Sequence, residues 1–182
     1  MLNALAALLA ALQLCVPVTL PEAVQAEMLS GRLLRFHVVA QDDSAEMQRI
    51  KLCVRDAVQT CYAAEVRTDE PMLAQAEELL PELTAAALAA ARQEGFDGAV
   101  DVRLESTAFD DRRLGSLTIP AGDYPALMIR MGEAQGQNWW GLLDPDLSLQ
   151  LARIPCQEAT GSLRWDWSLA GFLSALFGVR MM

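Results

Sequence analysis

Residues 124–140, YPALMIRMGEAQGQNWW, contain the pattern that decides the fold. Residues 124–131 predict a strand, because they are mostly apolar and follow a turn signal, PAGD, at residues 120–123. A loop with two glycines comes next, and two adjacent tryptophans close it. A further strand is expected to start at Trp139 and to end before Asp144. The stretch therefore predicts two strands joined by a glycine-containing loop.

The two tryptophans of this stretch, Trp139 and Trp140, allow two interpretations. Adjacent side chains of a strand point to opposite faces, so one ring can join the core while the other faces outward. An outward tryptophan on a rigid scaffold suits an anchor for a partner protein. Alternatively, both rings are core residues beneath the loop, since large aromatic side chains are mostly buried.

The rest of the chain alternates between strand and helix patterns. Residues 33–40 predict a buried strand, and residues 45–64 predict a helix that begins after the N-cap candidate Ser44. Residues 71–94 predict a second helix, bent near Pro81, and residues 99–105 alternate as a strand does. Residues 110–113, DDRR, predict a solvated loop. This order predicts an α+β fold, with two helices packed on a small, mostly antiparallel sheet of three or four strands.

Composition limits the classes of function. A chain of 182 residues with a net charge of −10 is long enough for one domain, and its acidity disfavours binding to nucleic acid. The cysteine spacing is not that of a zinc site and His37 is the sole histidine, so neither a metal nor a cofactor is predicted. Cys53 and Cys61 lie eight residues apart in a predicted helix, about 12 Å, which is too far for a mutual disulfide. A bond from either to Cys156 stays open.

The N-terminal segment predicts export or attachment to a membrane. Residues 1–21 contain no charged side chain, a run long enough either to span a bilayer or to form a secretory signal. Small residues at 24–26 predict cleavage before Glu27; the alternative is a buried N-terminal helix. We therefore divide the chain into a signal peptide or anchor (residues 1–26, with the tether in residues 1–20), one domain (27–155) and a C-terminal tail (156–182).

One group of residues suggests acid–base chemistry. His37 lies in the first strand, two residues after Arg35, and a carboxylate on the neighbouring turn or helix, Asp43 or Asp56, is expected to approach it. A His–carboxylate pair could act as a general base in an enzyme of the cell envelope. The alternative is a structural bond that ties the helix to the strand, because buried polar groups need partners. No motif for a nucleophile or a phosphate-binding loop is present.

Two blocks of sequence resemble the stage II sporulation protein R family of endospore-forming bacteria. The first is RFHVVA at residues 35–40, followed by Asp43-Ser44 and by KLCVRD at residues 51–56. The second is PAGDYPAL at residues 120–127, followed by the glycine loop and the double tryptophan. The family has cysteine directly after that tryptophan pair and again seven residues later, where this chain has Gly141 and Ser148.

The resemblance implies a function without catalysis. Members of that family are exported into the space between the forespore and mother-cell membranes. There they activate a membrane-embedded aspartic protease of the mother cell, which removes the pro-sequence of a sigma factor. We expect two sets of site residues. The partner-binding set is Tyr124, Glu133, Asn138, Trp139 and Trp140, and the structural or binding network is Arg35, His37, Asp43, Arg55 and Asp56.

Overall fold

The computed structural model describes residues 18–67, 70–114, 117–146 and 162–163. The helices in these residues are α1 (Leu20–Leu29), α2 (Ala45–Glu65), α3 (Met72–Glu78) and α4 (Leu80–Gln93). The strands are β1 (Val18–Thr19), β2 (Arg35–Val39), β3 (Val100–Phe109), β4 (Arg112–Leu114), β5 (Leu117–Ile119), β6 (Gly122–Met131), β7 (Asn138–Leu142) and β8 (Ser162–Leu163).

The main sheet has four strands in the order β3-β6-β2-β7. Strand β2 pairs in parallel with β6 and antiparallel with β7, while β3 and β6 form an antiparallel ribbon. Two small antiparallel pairs, β4 with β5 and β1 with β8, accompany it. Two of the three pairings in the main sheet are antiparallel, so the predicted α+β fold with a mostly antiparallel sheet is confirmed.

Helix α2 covers one face of this sheet. It begins as the sequence predicts, because the hydroxyl of Ser44 accepts the backbone N–H of Met47 at 3.2 Å. Ile50, Val54 and Val58 recur at helical spacing, and all three are buried in the core. Helix α4 packs beside α2 with a face of leucine and alanine. The apolar core therefore lies between α2, α4 and the sheet.

The structure corrects the number of helices, which is four in the described residues rather than two. The single helix expected at residues 71–94 is divided into α3 and α4 at Leu79. Pro81 lies in the first turn of α4, where a missing backbone N–H leaves no hydrogen bond unmade. The bend expected near Pro81 is thus a complete break between two helices.

The structure also corrects the loop predicted at residues 110–113. Arg112 and Arg113 belong to β4, which pairs with β5 to form a short hairpin. Strand β3 continues four residues past its expected end at residue 105 and finishes at Phe109. The predictions for β2, α2, β6 and β7 differ from the observed bounds by two residues or fewer at each end.

The ribbon of β3 and β6 curls over the sheet face that α2 does not cover. His37 pairs with Met128, which in turn pairs with Arg103, yet the ring that stacks on His37 at 4.4 Å is that of Phe109. Phe109 lies six residues beyond Arg103, about 20 Å along a straight strand. The end of the ribbon must therefore bend back over β2. We call the sheet face that carries Arg35, His37 and Trp140 the covered face.

Helix α1 belongs to the folded domain. Val24 and Met28 are buried in the same core as the residues of α2 and the sheet. The cleavage predicted before Glu27 would fall inside this helix, and it stays a prediction. Within the described ranges, no helix has the length and apolar character needed to cross a bilayer.

Two truncations on α1 test whether this helix is part of the stable unit. Val24→Ala should lower the free energy of unfolding by about 2 kcal/mol, because the substitution leaves a cavity in the core. Leu29→Ala removes an apolar side chain that is 56% exposed on the same helix, and should change stability by less than about 0.5 kcal/mol. Urea unfolding followed by circular dichroism measures both. Equal, small effects would show that α1 contributes nothing to the core.

Candidate functional site

The loop between β6 and β7 is held against the turn that follows β2. The backbone N–H of Gly136 donates to the carbonyl of Ala40 at 2.9 Å, and that of Gln137 donates to the Asp43 carboxylate at 2.6 Å. Lys51, from α2, donates through Nζ to the carbonyl of Gln137 at 2.9 Å. We call residues 132–137 the clamped loop, since its backbone is fixed from two sides.

The two glycines of the clamped loop permit this close approach. Gly132 has a φ of +56°, and a Cβ on it would lie 2.2 Å from Oε1 of Gln41. A Cβ on Gly136 would lie 2.3 Å from the backbone oxygen of Asp42. Gly136 therefore permits close contact between two stretches of backbone, while Gly132 leaves room for the Gln41 side chain.

The tryptophans that follow the loop point to opposite faces of the sheet. Trp139 is paired with Val38 and Trp140 with His37. The ring of Trp139 meets Phe36 of the core edge-on, with ring centres 5.6 Å apart. Both tryptophans are half-buried. Each ring is therefore partly packed and partly accessible. Neither interpretation of the sequence, one outward ring or two core rings, describes the pair completely.

Gly141 explains how the Trp139 ring is accommodated. A Cβ on Gly141 would lie 2.8 Å from Cη2 of Trp139. The ring thus occupies the space that a side chain at position 141 would enter. A side chain there would require the ring to move.

The expected network of Arg35, His37, Asp43, Arg55 and Asp56 is divided among three places. Asp43 holds the clamped loop. Arg55 lies over the Trp139 ring, with Cζ 5.0 Å from its centre, and pairs with Asp56 at 2.6 Å. Arg35 and His37 lie on the covered face. The sheet therefore lies between two groups of residues: Arg35 and His37 on one face, and Arg55 and Asp56 on the other.

Among the described residues, no carboxylate is a partner of His37. Its Nδ1 accepts from the side-chain amide of Asn138 at 2.8 Å, so the partner expected from Asp43 or Asp56 is wrong. Burial lowers the pKa of His37 to about 3, with the charges of Arg35 and Arg112 adding to the effect. The ring is therefore neutral at pH 7. An acid–base pair at His37 would need a carboxylate partner, whereas the observed partner is the amide of Asn138.

Arg35 is completely buried among aromatic rings. Its Cζ lies 4.0 Å from the ring centre of Phe109, 5.1 Å from that of Tyr124 and 5.3 Å from that of Trp140. Such contacts with ring faces stabilise a desolvated cation by about 2 kcal/mol each. Burial lowers the pKa of Arg35 to about 10, so the guanidinium stays charged at neutral pH.

The predicted partner-binding residues differ in accessibility. Glu133 and Asn138 are exposed. Tyr124 is buried, and its hydroxyl donates to the carbonyl of Pro120 at 2.8 Å. Tyr124 therefore contacts Arg35 in the interior of the domain and offers no surface to a partner.

Several residues of the site are not predicted by the sequence patterns. Phe109 and Arg112 on the ribbon and hairpin reach the covered face. On α2, Lys51 reaches the clamped loop and Gln59 reaches β7. The alternation of β3 gave no signal for Phe109, which is apolar but falls in register with the polar residues Arg103, Glu105 and Thr107. Within the described residues, Cys53 and Cys61 form no disulfide bond. The described part of the chain contains no cluster of three or more potential metal ligands.

Comparison with known proteins identifies the family. The sequence profile of stage II sporulation protein R matches residues 30–152, well over half of the chain. The chain belongs to the stage II sporulation protein R family. A relative is the stage II sporulation protein R of Bacillus subtilis (strain 168), 29% identical over 126 residues. This match covers 68% of the present chain and just over half, 56%, of the relative. No solved structure matches the chain.

Membership of this family connects the chain with sporulation and explains the two sequence blocks. Lys51 and Arg55 of the first block contact the clamped loop and Trp139 of the second. Arg35 and His37, also of the first block, contact Trp140 and Asn138. Residues distant in the sequence therefore form one continuous site around β7.

The single histidine allows a direct test of the buried ring. We expect the His37 resonances to show no titration between pH 5 and 8 in two-dimensional NMR spectra, since the folded-state pKa is about 3. The unfolded chain, with a pKa near 6.5, binds a proton more readily. The contribution of His37 to stability is therefore complete above pH 6.5 and is lost as the pH falls toward 3.

A His37→Gln variant separates this contribution from those of the carboxylates. Its free energy of unfolding should decrease less steeply than that of the wild type between pH 6.5 and pH 4. A resonance that titrates near pH 6.5 in the folded wild type would contradict the buried, neutral assignment.

Because the clamped loop is closely packed at Gly136, we expect substitutions at positions 135 and 136 to differ greatly in their effect on stability. Gly136→Ala should destabilise the domain by about 2 kcal/mol, because its Cβ meets backbone that cannot easily move. Gln135→Ala, which trims an exposed side chain, should change stability by less than about 0.5 kcal/mol. Thermal unfolding of both variants provides the comparison. Similar melting temperatures for the two would mean that the loop is not held as described.

Proposed function

We propose that this protein is an exported signal of sporulation that activates a membrane-embedded aspartic protease of the mother cell. That protease then removes the pro-sequence of a sigma factor. The observation that carries the proposal is the family match over residues 30–152, which includes both blocks of the site. An uncharged segment at residues 1–21 supports export into the space between the two membranes.

The clamped loop and the tryptophan pair are the proposed contact surface for the protease. The loop is fixed by hydrogen bonds to the turn after β2 and to Lys51, so little conformational entropy remains to be lost on binding. Trp139 and Trp140 are half-buried, with Glu133 and Asn138 exposed beside them. Tryptophan is among the residues that contribute most to binding energy at protein interfaces.

The chemistry of the site supports a role without catalysis. A general base near neutral pH needs a pKa near 7, whereas that of His37 is about 3. The nearest polar partner of this ring is an amide, that of Asn138. These features favour a binding protein over the alternative of an envelope enzyme.

Reconstitution tests the proposal directly. The full chain is combined with the protease in vesicles and with the sigma-factor precursor, and the rate of precursor cleavage is measured. Trp140→Ala and Trp139→Ala should each reduce the activation by at least tenfold, as the loss of a tryptophan anchor does. Leu29→Ala, which removes an exposed apolar side chain on α1, is the matched control and should activate normally.

The folded state of each variant must be checked by circular dichroism, because Trp139 also packs on Phe36. Trp140→Ala needs the same check, because the Trp140 ring lies next to the buried Arg35. Full activation by folded forms of both variants would refute the contact surface. No activation by the wild type would refute the signalling role itself.

A further inference from the structure

The covered face contains a cluster of buried donors without acceptors. Arg35 and His37 are both 0% exposed. Within the described residues, buried side-chain nitrogens without a hydrogen-bond partner include all three guanidinium nitrogens of Arg35, Nε2 of His37 and Nε of Arg112. Buried polar groups are almost always hydrogen-bonded in proteins, so an accumulation of this kind at one place requires an explanation.

All of these groups are donors. The guanidinium groups of arginine carry N–H bonds only. Nδ1 of His37 accepts from the amide nitrogen of Asn138, and the ring is neutral, so its one proton lies on Nε2. The cluster therefore offers N–H groups from three side chains and no acceptor. A group that satisfies it must supply oxygen atoms with free lone pairs.

The charge of the cluster is also unbalanced. Arg112 is close enough to lower the pKa of both Arg35 and His37. None of the carboxylates of the described residues forms an ion pair with either arginine. Contacts with Phe109, Tyr124 and Trp140 compensate part of the cost of burying Arg35, but rings cannot accept from all of its N–H groups. The site thus favours an anion.

We propose that the cluster of Arg35, His37 and Arg112 is a binding site for a carboxylate group. The planar fork of a guanidinium matches a carboxylate through two parallel hydrogen bonds. Three aromatic rings pack around the Arg35 guanidinium, so a group that binds it would lie among ring surfaces. A more highly charged anion is disfavoured by the net charge of −10.

Access to the site lies on the side of β7, an edge strand of the main sheet. Trp140 and Phe109 are half-buried, and Asn138 is exposed. The cluster is therefore one layer of side chains away from solvent. Rotation of the Trp140 or Phe109 ring admits a carboxylate to Arg35 without a change in the pairing of the sheet.

Thermal unfolding in two salts provides the first test. At pH 7 and constant ionic strength, replacement of chloride by acetate should raise the melting temperature of the full chain in a saturable manner. The expected rise is roughly 5–10 °C at a hundredfold excess over the dissociation constant. Arg35→Met should abolish this rise. The matched control is Arg113→Met, which replaces an exposed arginine next to Arg112 on β4 and should retain the rise in melting temperature.

A second measurement separates a free carboxylate from one presented by a polypeptide and does not depend on the folding of Arg35→Met. The Nε–H resonance of Arg35 in the wild type is followed by NMR during addition of acetate, a capped hexaglutamate peptide or a capped hexaglutamine peptide. A shift with acetate supports a site that accepts small free carboxylates. A shift with hexaglutamate alone supports a carboxylate carried by a peptide.

The proposal is overturned if neither acetate nor hexaglutamate moves the Arg35 resonance, or if hexaglutamine moves it equally. It is also overturned if folded Arg35→Met keeps the acetate-dependent rise in melting temperature. These measurements need no protease and no sigma-factor precursor. Their outcome is therefore independent of the proposed signalling role.

Discussion

Strand β2 is paired along both edges, and the site depends on the register of these two pairings. Parallel pairing with β6 and antiparallel pairing with β7 place His37 beside Met128 on one side and beside Trp140 on the other. A slip of one residue would turn every side chain of β2 to the opposite face. Arg35 would then enter the apolar core beneath α2, without the aromatic rings that now enclose it.

The two faces of the sheet therefore have different physical roles. Phe36 and Val38 join the apolar core, whose stability comes from removing surface from water. On the covered face, burial of Arg35 alone would cost several kcal/mol, and three aromatic rings offset part of that cost. The charged group of Arg35 thus occupies a fully buried position on the central strand β2. An apolar side chain at this position would carry no cost of burying a charge.

Sequence patterns predicted the elements but not the contacts between distant ones. Local signals were sufficient for α2, which has an N-cap at Ser44 and a helical period of apolar residues. The partner of His37 was predicted incorrectly, because the choice among Asp43, Asp56 and Asn138 depends on the register of β2 with β7. The contact of Phe109 with Arg35 depends on the curvature of the β3–β6 ribbon, which a linear pattern of alternation does not contain.

The position of β7 at the edge of the sheet gives the tryptophan pair its particular geometry. Because adjacent residues of a strand face opposite ways, Trp139 is accessible from the side of α2, and Trp140 from the covered face. Arg55 of α2 lies over the Trp139 ring, and Arg35 lies near the Trp140 ring. A partner that grips the edge of β7 would meet a tryptophan on each side, and the clamped loop fixes where that edge begins. Hydrogen bonds from the turn after β2 and from α2 converge on this one loop and keep the edge rigid, as recognition from two sides at once would require.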